Sequence, residues 1–558
     1  MSGARGLRGP AAAALGWLAA CQGLDTSVLD ERLRAATVES YVAVIDAQFG
    51  GLEAAGVSAD GLRDRYAHEA RAAASPGEFY RVLKELLCEL DDPHASLAVS
   101  ARFWEGPVAE PEGTQCMRHG NDLWLALPEA SVRTRAELQG ELSGWLEGIE
   151  GEVERGAPRA SARLLVRSAA AARFGGERTR WLRLSAVDGV AVERPHAAEM
   201  LLEGRLGSIV EVEVELDGAP TRLALMRNAG SFAPERAGAP REVLGPEDLA
   251  QLLDPTVRVA RPPWWRGRSR SRSGGPLRTP SREGVRRALR AVLESGETLP
   301  VPEALSRTFG LEARILRTPS GGRAAYLRLT SFHPGSGGPT PGGVEVEEGA
   351  PGQGLSDGLT ALLPDLEPGG DLILDLCGNP GGSWAAAGAL LSHFLPDATR
   401  WIPHEVRSVE ETWTLGLRSR KPRLLRQAPL QVERVRPRRI LVLVDQRTAS
   451  AGEIVASALR GLCDARLVGE RTAGAEFSTG RYRAPDGSVL TVGLGGGMLP
   501  PCEHFQCRGL TPDIEVDRPA PARTALDPGA WRESLRLEAL LLALDALDEG
   551  GPAFGSDP

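Results

Sequence analysis

Two apolar runs, each broken off by a polar turn, constrain this chain more than any other feature. Ile440-Leu-Val-Leu-Val444 has no helical gaps and reads as a buried strand. It enters the turn Asp445-Gln-Arg-Thr-Ala449, and a small-residue helix follows whose apolar positions Ile454, Val455, Ala458 and Leu459 share one face. Ser450 falls where strand becomes helix, over free backbone N–H groups and the positive end of the helix dipole. That is a place for a nucleophile. Ser450-x-x-Glu453 also matches a capping box, so a purely structural role fits the same residues. Upstream, Leu372-Ile-Leu-Asp-Leu376 is a second buried strand, running into Cys377-Gly-Asn-Pro-Gly-Gly382. A glycine turn at a strand end presents N–H groups to a ligand, as an oxyanion hole does.

Together the two strand–turn pairs resemble the carboxyl-terminal processing and tricorn family of serine peptidases. Val468-Gly-Glu-Arg-Thr-Ala-Gly474, Pro485-Asp-Gly487 and Gly509-Leu-Thr-Pro-Asp-Ile514 follow in the family's order. The resemblance implies an α/β fold, with a ClpP/crotonase-like catalytic domain over 321–525. It also implies a helical cap over 25–105 and a β-rich region over 120–235 containing a PDZ-like domain that takes extended peptides by strand addition. Residues 236–320 read as linker and short helices, and 526–558 as a C-terminal helix and tail. The basic stretch Arg261 to Pro276 is flanked by Pro, Gly and Ser and reads as linker or surface loop.

One branch of the family takes its base from a lysine about 25 residues after the serine. Here that position is Ala475, and the only lysines of the chain are Lys84 and Lys421. The other branch uses a histidine at the end of an early helix, in a signature matched by Leu90-Asp-Asp-Pro-His-Ala-Ser-Leu97. His94 is therefore the expected base, with imidazole titrating near neutrality. The resemblance gives the oxyanion donors as the N–H groups of Gly381 and Ala451, since Pro380 has none. The family's acidic partner of the histidine falls on Gln506, with Glu503 as the substitute. Glutamine accepts an imidazole N–H but gives no charge, so restoring a carboxylate at 506 is expected to raise turnover. A second departure is Cys377, where the family commonly has arginine.

The function implied is a serine endopeptidase acting on unfolded or extended polypeptides, without metal or cofactor. The alternative is a catalytically inactive binding or scaffold protein, which Gln506 and Cys377 favour. Over 558 residues the net charge is −9, which gives no footprint for nucleic acid. At the amino terminus Arg5 and Arg8 precede an apolar run, Ala11 to Ala20, and then Cys21. This resembles a signal peptide with a bacterial lipobox, implying a periplasmic lipoprotein anchored through lipidated Cys21. An ordinary apolar helix with a buried cysteine is the competing reading. The other cysteines show no metal-ligand spacing; Cys502 and Cys507 are the nearest pair for a disulfide.

Overall fold

The computed structural model describes residues 27–104, 108–111, 114–120, 122–128, 179–205, 208–230, 297–318, 321–333, 351–363, 370–395, 402–414, 417–516 and 528–548. Cys21, the basic stretch Arg261 to Pro276 and residues 236–296 of the expected linker and short helices lie outside these residues.

The amino-terminal region is helical, and its helix starts are written in the sequence. Asp30 accepts the Leu33 N–H at 2.8 Å to open α1 (Glu31–Gln48). Ser58 accepts from Gly61 at the head of α2 (Ala59–Ala72). Ser75 accepts from Glu78 at the head of α3 (Pro76–Cys88), which has proline in its first turn, where no N–H is needed. Val38, Tyr41, Val42 and Ile45 pack against Phe79, Val82, Leu83 and Leu86. A short strand, β1 (Ser96–Ala98), leaves this region just after His94.

The β-rich region places β2 (Gln115–His119), β3 (Asp122–Pro128), β4 (Thr179–Val187), β5 (Ile209–Leu216) and β6 (Ala219–Gly230) side by side and antiparallel. In β5, Val210, Val212 and Val214 point to the core and alternate with glutamates, the signature of a sheet with one wet face. The hairpin into β6 turns at Asp217-Gly218, both at positive φ, as a two-residue turn that matches strand twist requires. Helix α4 (Pro195–Leu202) closes the core through Ala198, Leu201 and Leu202.

The third region is a mixed α/β sheet, the fold class the sequence implies. Strand β7 (Glu312–Arg317) pairs antiparallel with β8 (Arg323–Arg328). From β8 the sheet continues in parallel through β9 (Asp371–Asp375), β10 (Ile440–Val444) and β11 (Arg466–Gly469). Helices α5 (Pro351–Leu362), α6 (Trp384–Ser392) and α7 (Ala451–Cys463) cover one face through Leu355, Leu359, Leu390, Val455 and Leu459. The other face is covered by α8 (Pro528–Asp548), whose Leu535, Ala539, Leu540, Ala543 and Leu544 meet Ile373, Leu441, Leu443 and Val468. Burial on both faces is why β10 is apolar throughout and β9 is apolar between its terminal aspartates. A hairpin precedes α8 in the chain, β12 (Thr479–Arg483) and β13 (Val489–Gly493), and β1 extends it antiparallel.

Candidate active site

Ser450 stands at the carboxyl end of β10 on a turn that other side chains hold in shape. Buried Asp445 accepts N–H bonds from Gly378, Arg447 and Thr448 at 2.9–3.0 Å, and Thr448 Oγ1 donates to Leu376 O at 2.9 Å. These bonds tie the ends of β9 and β10 together. Ser450 adopts φ 50° and ψ −119°, a conformation that L side chains avoid. Strain of this kind costs on the order of 1–3 kcal/mol and persists only where surroundings over-determine it. Its effect is to lift the half-buried serine out of the strand line above the first turn of α7.

Gly381, at φ 91°, is pressed against that serine. A Cβ there would lie 2.6 Å from Ser450 Cβ and 2.8 Å from Ala451 N, so only glycine fits. The glycine turn thus reaches the position expected of it, but one donor is engaged. Gly381 N–H donates to Asn379 Oδ1 at 2.8 Å, and Asn379 Nδ2 is fixed on Leu329 O at 2.9 Å. In this arrangement Gly381 does not offer its N–H to an oxyanion. Ala451, the first residue of α7, has no intrahelical acceptor and keeps the expected role within reach.

Behind Ser450 lies Glu453, which has no solvent exposure. Its carboxylate accepts the N–H groups of Ser450 (3.1 Å), Gly474 (2.8 Å) and Ala475 (2.8 Å), and the hydroxyl of Thr472. Burial pushes it up to about 7, against these donors. Ala475, where a lysine base would stand, is buried on this strap.

His94 follows α3 on the turn into β1. Fully buried Asp92 lies two residues before it. Asp92 Oδ1 accepts the His94 N–H and Gln506 Nε2, both at 3.1 Å, and Oδ2 accepts Gly493 N–H at 2.8 Å. His94 Nδ1 is 3.8 Å from Asp92 Oδ1 and is buried without a hydrogen-bond partner among the described residues. Burial holds the His94 imidazole below its ordinary value, and the Asp92 charge opposes that shift.

The two expected third members need correcting. Gln506 Oε1 accepts N–H bonds from Glu476 (2.7 Å) and Phe477 (3.0 Å), so its oxygen is spent on backbone and its amino group turns to Asp92. It does not accept from His94. Glu503 is 56% exposed in its side chain and pairs with Arg460 on α7. Two further carboxylates, Glu476 and Asp92, shape the site. Glu476 accepts from Met498, Phe505 and Gln506 N–H and from His504 Nδ1, which fixes the 503–507 loop. Asp92 was in plain view in Asp-Asp-Pro-His94, but sequence gives no sign that it turns inward. Cys502 and Cys507 are free thiols, pushed by burial up to about 11 and about 12. Among the described residues no cluster of three His, Cys, Asp or Glu side chains is arranged to hold a metal ion.

The residues therefore assemble along one loop. Glu453 holds its Gly474 and Ala475 from the Ser450 side, while Gln506 holds its Glu476 and Phe477 and passes to Asp92 and His94. Residues 323–516 match the model of peptidase family S41. Over 142 residues the chain is 36% identical to the carboxyl-terminal-processing peptidase 1, chloroplastic, of Arabidopsis thaliana, covering 25% of this chain and 26% of that protein. It is 31% identical over 154 residues to a carboxyl-terminal-processing protease of Synechocystis, covering 27% and 33%. With a putative tricorn protease homolog 2 of Streptomyces coelicolor it shares 33% over 119 residues, 20% of this chain and 10% of that one. The match thus spans a third or less of each of these relatives. Among solved structures, mature CPAF superposes with a TM-score of 0.51 at 13% identity, covering 94% of this chain and 100% of that one, a likeness of fold.

Proposed function

We propose, for a chain whose residues 323–516 are a peptidase family S41 domain, a serine endopeptidase that cleaves extended polypeptides. Ser450 is the nucleophile and His94 the base. The hydroxyl proton passes to the imidazole as Oγ bonds to the scissile carbonyl carbon, and the same proton goes to the leaving amine as the C–N bond breaks. Ala451 N–H supports the oxyanion, helped by the positive end of α7. The observation that carries this reading is the left-handed Ser450 at a helix start with Gly381 packed against its Cβ. A plain capping serine has no need of that strain.

The test is labelling with a fluorophosphonate, mapped by peptide mass spectrometry, beside cleavage of an unfolded protein. Labelling at Ser450 is expected, with cleavage falling by at least about 10³-fold in Ser450→Ala. A wild-type protein that folds but neither labels nor cleaves would leave the scaffold reading in its place.

The β-rich region, with its strand edges, is proposed as a PDZ-like dock for substrate peptide. Export and anchoring through lipidated Cys21 belong to the same proposal, on the order of Arg5, Arg8, apolar run and cysteine. Among the described residues no helix is long and apolar enough to cross a membrane. Release of Cys21→Ser protein from the membrane fraction is the expected outcome, and a wild type found soluble with residues 1–20 intact would defeat it.

A further inference from the structure

We infer that Asp92 is the positioning residue for His94, and that Gln506 is the amide clamp that holds Asp92 in place. This rests on the Ser450–His94 reading above and supplies its missing charge. A catalytic imidazole needs a partner on the nitrogen that does not face the nucleophile, to fix the tautomer and to stabilise the imidazolium. Among the described residues that nitrogen has one candidate acceptor: Nδ1 is buried, makes no hydrogen bond to them and lies 3.8 Å from Asp92 Oδ1. That gap is longer than a hydrogen bond, as is common before substrate binds. The carboxylate itself cannot swing away. Gly493 N–H fixes Oδ2, while the His94 N–H and Gln506 Nε2 fix Oδ1.

The identity of residue 506 follows from this. Its oxygen takes two backbone N–H groups, which determines the amide orientation and leaves the amino group to face Asp92. Glutamine here is a donor to a buried carboxylate, a task a glutamate cannot perform. The charge has moved from position 506 to position 92. The other titratable groups around Asp92 are paired elsewhere or held neutral by burial. Asp91 is occupied by Arg194 at 3.0 Å, burial keeps the His196 imidazole down at about 4, and burial pushes the Cys507 thiol up to about 12.

Three measurements test this on the full chain. In the wild type, ring nitrogen shifts of His94 are expected to show the proton on Nδ1; an Nε2–H tautomer would overturn the inference without any substitution. Asp92→Asn should cut the Ser450 labelling rate by up to about 10⁴-fold. It should also move the acid limb of the labelling profile, and the His94 titration, to lower pH, because the lost anion had favoured the imidazolium. Unchanged titration of His94 in folded Asp92→Asn would sink the idea even if labelling falls, since a merely structural role predicts that result. Gln506→Glu should lose rate as pH rises, two carboxylates being unable to ionise freely side by side. A gain in rate would instead return the acid to 506. Glu503→Gln is expected to leave all readouts unchanged. Failure of the wild type to label at Ser450 defeats the peptidase reading alone, because the His94 tautomer and titration still report the pairing.

Discussion

At Glu453 a carboxylate without solvent exposure accepts four bonds, three of them from the backbone of the residues that shape the site. Its place in Ser450-x-x-Glu453 was legible as a capping box, and the bond to Ser450 N–H is there. The bonds to Thr472, Gly474 and Ala475 were not legible, because they join residues about twenty positions apart. Burial lifts this group from 4.5 to about 7, so the folded state favours its protonated form. Its contribution to stability is therefore most favourable below the unfolded value of 4.5 and is lost as pH rises towards 7. The change is on the order of 3 kcal/mol. Thermal midpoints measured across this range should fall with pH for the wild type, after comparison with Glu453→Gln, whose curve should lose that component. Parallel curves for the two proteins would show that the charge is not buried in this way. The same kind of distance hid Asp92. Ser450 and His94 were readable because each sits in a local signature, whereas the partner of His94 is chosen by a contact between positions 92 and 506.

Strands β9 and β10 were plain in the sequence because both faces are buried, and apolar continuity is local. The helix α8 was visible as a helix, but its purpose was not, since a helical stripe does not say which face of a sheet it covers. Its Arg536 reaches the end of β9, two residues before Cys377. Asp375, at the end of β9, is fully buried, and the family's usual arginine two residues on is absent. Arg536 Nη1 donates to Asp375 Oδ2 at 3.1 Å and to Tyr326 Oη at 2.8 Å, and Tyr326 donates to Asp375 at 2.6 Å. Glu533, one turn before Arg536, accepts from Nε and Nη2 and fixes the fork. A guanidinium from a distant helix thus neutralises the strand end that leads into the glycine turn. Arg536→Met should leave Asp375 with Arg328 Nε, 4.0 Å away, as its remaining cation, and cost the lower end of roughly 3–5 kcal/mol in denaturant unfolding. The double change Arg536→Met with Asp375→Asn should recover part of that loss. A single substitution costing under about 1 kcal/mol would mean that water replaces the guanidinium.

For the molecule as a whole, the arrangement makes the candidate base a passenger of one region and the candidate nucleophile of another. The amino-terminal helices dock on the β12–β13 hairpin, where Leu490 and Val492 enter the helical core. Tyr80 Oη donates to buried Asp486 Oδ2 at 2.7 Å, Tyr41 meets Ser488 at 2.8 Å, and β1 pairs with β13 directly after His94. Asp92 adds its bond to Gly493 at the end of β13. Docking and the placing of His94 are therefore one event. Tyr80→Phe keeps the ring but removes the donor, leaving a buried carboxylate oxygen without that bond, at a cost of about 1–3 kcal/mol. Hydrogen exchange should quicken together in residues 76–98 and 479–493, and Ser450 labelling should slow while the β9–β10–β11 sheet keeps its protection. If Tyr80→Phe loosens only α3 and leaves the labelling rate unchanged, then His94 is held by the Asp92–Gln506 clamp alone and the docked helices serve stability without serving the site.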